Sequence, residues 1–176
     1  MLKIDALKQP PNAELELAGS KSITNRALII SALAKGTSTL SRALFAEDTL
    51  AMIDCLKAFG INIKHDHATS TIVVNGSEGE LETPQERLWV RQSGTTARFI
   101  LPLAALAKAP IEVDGDAQIR SRPQNDLLSA LNKLGIEIAH NGNLGQLPLT
   151  IDGTNLIVTD INVSGETSSQ YLSALL

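Results

Sequence analysis

Two periodicities take turns along the chain. Residues 13–17 alternate polar and apolar, as a half-buried strand does, and 22–35 carries Ile23, Ala27, Ile30 and Leu33 at helical spacing until Gly36. Residues 37–41 read as a short strand. A second helix follows, with Asp48 as its N-cap, Leu50, Ile53, Leu56 and Phe59 as its apolar stripe and Gly60 as its stop. Strands over 61–65 and 71–74 complete the series strand, helix, strand, helix, strand, strand. The series then restarts with a strand near 88–90, a helix over 95–107 and a strand over 111–114. Its second helix opens with Pro123 in the first turn and carries Leu127, Leu128, Leu131 and Leu134. Pro102 sits inside the 95–107 helix, a conflict of about 3 kcal/mol in an isolated helix, and predicts a kink there.

The restart is an internal repeat. Ser31-Ala32-Leu33-Ala34-Lys35 returns as Ala104-Ala105-Leu106-Ala107-Lys108, and Ser173-Ala174-Leu175 echoes it a third time. Residues 56–63 match 131–138 and residues 71–76 match 148–153, so the order of landmarks is kept while loops lengthen slightly. Units over 12–80 and 86–154 are expected to be complete. The third, 155–176, opens with a strand over 156–163 and a helix start, Ser164-Gly165-Glu166-Thr167-Ser168-Ser169-Gln170. It then stops among Leu172, Ala174, Leu175 and Leu176 with no cap. Either the protein simply ends in a helix or, as we favour, it is a fragment of a longer chain with its third unit truncated. The expected fold is α/β (α+β), with βαβαββ units repeated around a pseudo-threefold axis.

Composition narrows the functions open to such a fold. The 176 residues are 43% hydrophobic and 19% charged, enough apolar surface for a folded core. A net charge of -4 argues against nucleic acid as partner. The longest apolar stretches, 27–34 and 99–107, reach about half the roughly 18 residues that span a bilayer, so no membrane association is expected. The N-terminus lacks the apolar core of a signal peptide and Cys55 is the single cysteine, which points to a reducing cytoplasm. His65, His67 and His140 show no metal-ligand spacing with Cys55, and Asp114-Gly115-Asp116 reads as a turn, so neither metal nor cofactor is expected.

Polar chemistry gathers at equivalent places, the starts of the first helix in each unit. They read Gly19-Ser20-Lys21-Ser22-Ile23-Thr24-Asn25-Arg26, Gln92-Ser93-Gly94-Thr95-Thr96-Ala97-Arg98, and the 164–170 segment above. Ser and Thr commonly do no more than cap helices there. Unpaired N–H groups and the helix dipole also make such starts hospitable to anions, and a pseudo-threefold axis brings the three together beside Lys21, Arg26 and Arg122. Lys21-Ser22 resembles the end of a P-loop, but the positions before it do not fit. Glu47-Asp48 reads as helix capping, with lining of the site as its alternative.

Four ordered motifs carry a resemblance that runs along essentially the whole chain. They are Gly19-Ser20-Lys21-Ser22-x-Thr24-Asn25-Arg26-Ala27, Ser93-Gly94-Thr95-Thr96-Ala97-Arg98, Arg122-Pro123 and Ser168-Ser169-Gln170-Tyr171-Leu172. Together they resemble the 5-enolpyruvylshikimate-3-phosphate synthases, also called 3-phosphoshikimate 1-carboxyvinyltransferases. That family moves the enolpyruvyl group of phosphoenolpyruvate to the 5-hydroxyl of shikimate 3-phosphate and releases phosphate, on the route to aromatic amino acids. The resemblance implies an enolpyruvyl transferase-like domain, N-terminal in a chain more than twice as long, with a C-terminal domain of the same enzyme as its partner. Residues up to about Pro11 are then expected to lack their usual packing.

The resemblance also implies roles. Lys21 touches both substrates and is a candidate proton carrier, while Ser22 and Arg26 bind the shikimate carboxylate. Ser168 and Ser169 hold the 3-phosphate with Gln170 against the ring. Gly94 and Arg122, with Lys21 and Gln170, contact phosphoenolpyruvate. Gln92 departs from the family's usual Asn. The parent is expected to be a monomeric, cofactor-free enzyme and this chain to be inactive alone, because further lysine, arginine and carboxylate groups belong to the other domain. Two rival readings are a non-catalytic anion-binding module and the transferase acting on UDP-N-acetylglucosamine; Arg26 and Ser168-Ser169-Gln170 disfavour the latter.

Overall fold

Ser20 leaves extended backbone and its hydroxyl accepts from the Ile23 N–H, which starts the first helix, α1 (Lys21–Leu33). The computed structural model describes residues 8–107, 109–157, 159–163 and 168–176. After α1 come β1 (Thr37–Leu40), α2 (Glu47–Ala58), β2 (Asn62–Asp66) and β3 (Thr71–Asn75). These strands form an antiparallel sheet in the order β1-β3-β2, with Val74 facing both Ser38 and Ile63. The second series is β4 (Leu88–Trp89), α3 (Gly94–Ala104), β5 (Ile111–Asp114), α4 (Ala117–Arg120), α5 (Asn125–Lys133), β6 (Glu137–His140) and β7 (Leu149–Asp152), and α6 (Ser169–Leu175) follows it. Its sheet runs β4-β5-β7-β6, in which β5-β7-β6 repeats the antiparallel order of β1-β3-β2 and β4 adds in parallel to β5.

Glycine marks the repeat for two physical reasons. Gly60 and Gly135 follow α2 and α5 with φ of 84° and 77°, the left-handed stop that a side chain resists. Gly76 and Gly153 lie just beyond the last strand of each series, where the chain crosses the ends of α1 and α3. A Cβ there would come within 2.1 Å of the Ala34 carbonyl oxygen and 1.7 Å of the Ala105 one. Ala34 and Ala105 are the C-caps of α1 and α3.

Helices α1, α3 and α6 pack against one another. Ala97, Ile100, Leu101 and Ala104 of α3 are fully buried, and Tyr171 of α6 is 2% exposed. Arg26 of α1 lies 5.6 Å over the Phe99 ring of α3 and donates to Ser173 Oγ of α6 at 3.3 Å. Helix α2 packs on α1 and α3, and α5 packs on β6. No described helix is long and apolar enough to cross a membrane.

The structure corrects several sequence expectations. The apolar stripe of α1 is not its buried face: Ile23 and Ile30 are 70% and 69% exposed, whereas Thr24, Asn25, Leu28, Ser31 and Ala32 are buried. Small polar residues win this face because they approach backbone closely, as when Thr24 Oγ1 accepts from the Leu44 N–H at 3.1 Å. Residues 13–17 form no strand; Leu15 and Leu17 are each 79% exposed, and the edge of β1 that corresponds to the β4 position of the second sheet is unpaired among the described residues. The 156–163 strand is likewise not formed among its described residues, where the Leu156 N–H closes a turn on the Gly153 carbonyl and the Ile157 N–H donates to the Leu134 carbonyl. Pro102 lies inside the last turn of α3, which ends at Ala104 rather than 107, and the turn tightens there through the Ala105 N–H to the Pro102 carbonyl. Pro123 precedes the cap residue Gln124 and so stays outside α5. Asp48 is the second residue of α2, whose N-cap is Ala46.

Candidate active-site cleft

The starts of α1, α3 and α6 meet on one side of the molecule. Gly19 lets the strand-less entry segment touch the 42–44 loop, since a Cβ there would lie 2.1 Å from the Arg42 carbonyl oxygen. Lys21 follows directly, its Nζ 3.3 Å from Asp48 Oδ2, with the two side chains 45% and 25% exposed. The other oxygen of Asp48 accepts from Ser93 Oγ at 2.9 Å, and the Asp48 carbonyl accepts from Thr96 Oγ1 at 2.9 Å. Ser93 is the buried N-cap of α3, its hydroxyl accepting from the Thr96 N–H at 3.0 Å. One carboxylate therefore ties the starts of α1, α2 and α3 together.

Arg91 turns the chain from β4 into α3 at a φ of 53°. It pairs with Glu47 and, at 2.8 Å, with Asp54. The Glu47 hydrogen bond comes first among the influences that raise its pKa. Gly94 opens α3 directly under Arg122: a Cβ there would stand 3.1 Å from Nη1 of that guanidinium. Arg122 rides on the loop after α4, which Asp114 anchors. Asp114 is 1% exposed and accepts from Arg120 Nε and Nη2 at 2.8 and 2.6 Å, from the Gly115 N–H at 2.7 Å and from Arg87 at 3.3 Å. Burial works against its charge, but the Arg120 and Gly115 bonds and the nearby guanidinium charges outweigh it and hold the carboxyl below its ordinary range.

From α6, Ser168 caps the helix by accepting from the Gln170 N–H at 3.2 Å. Gln170 reaches α3, donating from Nε2 to Thr95 Oγ1 at 3.2 Å, and accepts at Oε1 from Arg98 at 2.7 Å. The result is a cleft of about 350 Å³ lined by Lys21, Glu47, Asp48, Gln92, Gly94, Thr95, Arg98, Gln118, Arg122 and Gln170. Of the sequence candidates, Lys21, Gly94, Arg122 and Gln170 line it, and so does the departing Gln92. Ser168 joins the wall through Arg98 at 3.1 Å. Ser22, Arg26 and Ser169 lie along the adjoining seam between α1 and α6, where Arg26 bonds the Ser22 carbonyl and Ser173, and Ser173 bonds the Ser169 carbonyl. Residues 164–167 lie outside the described residues. Asp48 and Glu47 took the alternative role, lining. Arg98 and Thr95 went unassigned, although both lie within the quoted Ser93–Arg98 motif and Arg98 stands one helical turn after Gly94, the spacing that points it at the same cleft.

The rest of the titratable inventory sits apart. Burial, then Asp54, pushes the Cys55 thiol up to about 12, so it is no nucleophile at neutral pH. His67 stacks on Phe45 at 4.1 Å with His65 edge-on at 5.3 Å. No cluster of three metal-ligating side chains is present among the described residues. The cleft presents a lysine, two arginines and the positive ends of α1 and α3, which suits a ligand with several negative charges.

The model of the EPSP synthase (3-phosphoshikimate 1-carboxyvinyltransferase) family matches residues 7–176. The chain belongs to that family. Among curated EPSP synthases it is 42% identical over 175 residues to that of Trichormus variabilis, covering 99% of this chain and 41% of that protein. It is 46% identical over 159 residues to that of Rhizobium etli, covering 90% of this chain and 37% of the relative. The EPSP synthase of Acinetobacter baumannii, solved at 2.37 Å, superposes with a TM-score of 0.83 at 25% identity over 92% of this chain and 36% of its own. The fold class is therefore that of the EPSP synthases, mixed helix and sheet, with the full βαβαββ series present in the second unit and the first lacking its opening strand among the described residues. The chain spans about two fifths of the length of the EPSP synthases it matches.

Proposed function

We propose that this chain is the N-terminal, acceptor-binding part of a 3-phosphoshikimate 1-carboxyvinyltransferase, made of units over 12–80 and 86–154 and the start of a third over 155–176. The observation that carries the reading is the convergence of Lys21, Gly94, Arg122 and Gln170 on one cleft. In the reaction the 5-hydroxyl of shikimate 3-phosphate adds to C2 of phosphoenolpyruvate as a proton reaches C3. The tetrahedral adduct then loses one of its three C3 protons and phosphate to form the enol ether. Lys21, tethered by Asp48, contacts both ligands and carries the proton in this reading, which the ion pair at the cleft supports. Arg122 over Gly94 takes the anionic end of phosphoenolpyruvate, where a missing side chain leaves room at the backbone. Ser168, Ser169 and Gln170 hold the 3-phosphate and ring, and Ser22 with Arg26 the carboxylate. The parent works as a cytoplasmic monomer without metal or cofactor, its C-terminal domain closing over the cleft to exclude water and supply the remaining charges. Alone, the chain binds without turnover.

A chimera tests this. This chain replaces the 175 residues it aligns with in the Trichormus variabilis enzyme. The chimera should release phosphate from phosphoenolpyruvate only when shikimate 3-phosphate is present, and the 176-residue chain should release none. A folded chimera that neither binds shikimate 3-phosphate nor turns over would overturn the reading in favour of a non-catalytic anion-binding module. Saturation with UDP-N-acetylglucosamine instead would identify the sister transferase.

A further inference from the structure

Arg98 projects from the second turn of α3 and commits both hydrogens of one nitrogen to the start of α6. Its Nη1 donates to Ser168 Oγ at 3.1 Å and to Gln170 Oε1 at 2.7 Å. The guanidinium lies 4.9 Å over the Tyr171 ring, which is 2% exposed, and its Nε is buried with no partner among the described residues. A planar group stacked in this way is held in one orientation.

That orientation decides which way its partners face. A serine hydroxyl has two lone pairs and one hydrogen. Both acceptor positions of Ser168 Oγ are taken, one by Arg98 and one by the Gln170 N–H at 3.2 Å. Among the described residues the capacity left to Ser168 is its O–H, so toward a ligand it donates. The Gln170 amide is fixed by the same logic. Arginine has no acceptor, so only Oε1 can face it. Nε2 is thereby turned to the other side, one hydrogen on Thr95 Oγ1 at 3.2 Å and the second available to the cleft.

We propose that Arg98 is a positioning residue that sets the hydrogen-bond polarity of this wall, presenting Ser168 and Gln170 as outward donors preset for a phosphate monoester. The proposal rests on the reading of those two residues as acceptor-binding groups. Without Arg98 the Ser168 hydroxyl can rotate and the Gln170 amide can flip, so the wall presents acceptors to an anion as readily as donors. Lysine supplies the charge but not the planar group stacked on Tyr171 that fixes the direction of the two N–H bonds, and does not restore the arrangement.

The test uses the 176-residue chain, titrated by NMR with shikimate 3-phosphate, unphosphorylated shikimate and inorganic phosphate. Arg98→Met should weaken shikimate 3-phosphate about tenfold, the size expected for lost hydrogen bonds to a charged group, while shikimate changes by less than about twofold. The Gln170 side-chain amide should lose its exchange protection, with Ile72 and Val74 backbone amides as the control for the fold. Arg98→Lys should not rescue either property. Rescue by lysine, equal losses for both ligands, or an unchanged Gln170 amide in Arg98→Met would overturn the proposal. If the wild-type chain ignores shikimate 3-phosphate while inorganic phosphate shifts Ser168 and Gln170 in the wild type but not in Arg98→Met, the acceptor reading falls and the positioning role stands. No phosphate response in either protein overturns both.

Discussion

Lys21 and Asp48 face each other across the cleft with Nζ and Oδ2 3.3 Å apart, and the same carboxylate holds the α3 cap through Ser93. Asp48 thus aims the lysine while anchoring the neighbouring helix. The pair is partly exposed, so its direct contribution to stability is small. In the chimera, Lys21→Met should lower kcat by about 100-fold or more, the scale of a lost general acid, with little change in Tm. Asp48→Asn keeps an acceptor for Ser93 and removes only the tether; its kcat should fall by a smaller factor, about tenfold. Steady-state phosphate release with thermal melts checks both, and wild-type turnover by Lys21→Met would remove the lysine from the chemistry.

Gly94 and Arg122 give a prediction of the opposite kind, in which a small change leaves the fold alone. A methyl group at position 94 would meet the far end of an exposed, flexible side chain at 3.1 Å, and the guanidinium can shift by a few tenths of an ångström. Gly94→Ala should melt as the wild type does and still bind shikimate 3-phosphate. The KM for phosphoenolpyruvate should rise about tenfold in the chimera, because the displaced Arg122 no longer meets its anion squarely. An unchanged KM would separate Arg122 from that ligand.

Asp114 predicts a pH dependence. Its folded pKa lies below the ordinary value, so the stability it contributes is complete above the ordinary carboxylate range and is lost as pH falls through the folded pKa. Asp114→Ala removes hydrogen bonds to charged partners that remain half-exposed to water, which should destabilise by about 2 kcal/mol at pH 7. The variant's urea midpoint should also fall less steeply than the wild type's between about pH 5 and pH 2. Parallel acid limbs for the two proteins would assign the acid sensitivity to other carboxylates.

The repeat was legible in the sequence because its landmarks are backbone requirements. Gly60 and Gly135 need positive φ, and Gly76 and Gly153 need space against a helix end, so both pairs survive wherever side chains around them vary. Strand β5 and the start of α3 were read correctly from their own residues. The buried face of α1 was not, because hydrophobicity is a poor guide where Thr24 and Ser31 pack against backbone and Ile23 and Ile30 face outward. Residues 13–17 alternate as a strand should and an edge of β1 is unpaired among the described residues, yet no strand forms there, because pairing is decided by tertiary context beyond local pattern. In the site, cations near glycine turns were visible. The joining of Asp48 to Ser93 and of Arg98 to Gln170 was not, since each links residues more than forty positions apart.

The helix-end glycines supply the most demanding stability test. At Gly153 a Cβ would come within 1.7 Å of the Ala105 carbonyl oxygen, and at Gly76 within 2.1 Å of that of Ala34. Those oxygens belong to helix caps and cannot rotate aside, so the sheet must separate from the helix it crosses. Gly79 offers a control: its φ is 84°, but a Cβ there meets nothing within 4 Å. Gly79→Ala should therefore carry only the left-handed backbone term, about 1 kcal/mol. Gly153→Ala and Gly76→Ala should lose about 3 kcal/mol or more, the upper range for forced overpacking. Urea unfolding of the three variants orders them directly. If Gly79→Ala were as damaging as Gly153→Ala, backbone conformation and not close approach would explain the repeated glycines, and the helix crossing would lose its place as the constraint that keeps the two sheets alike.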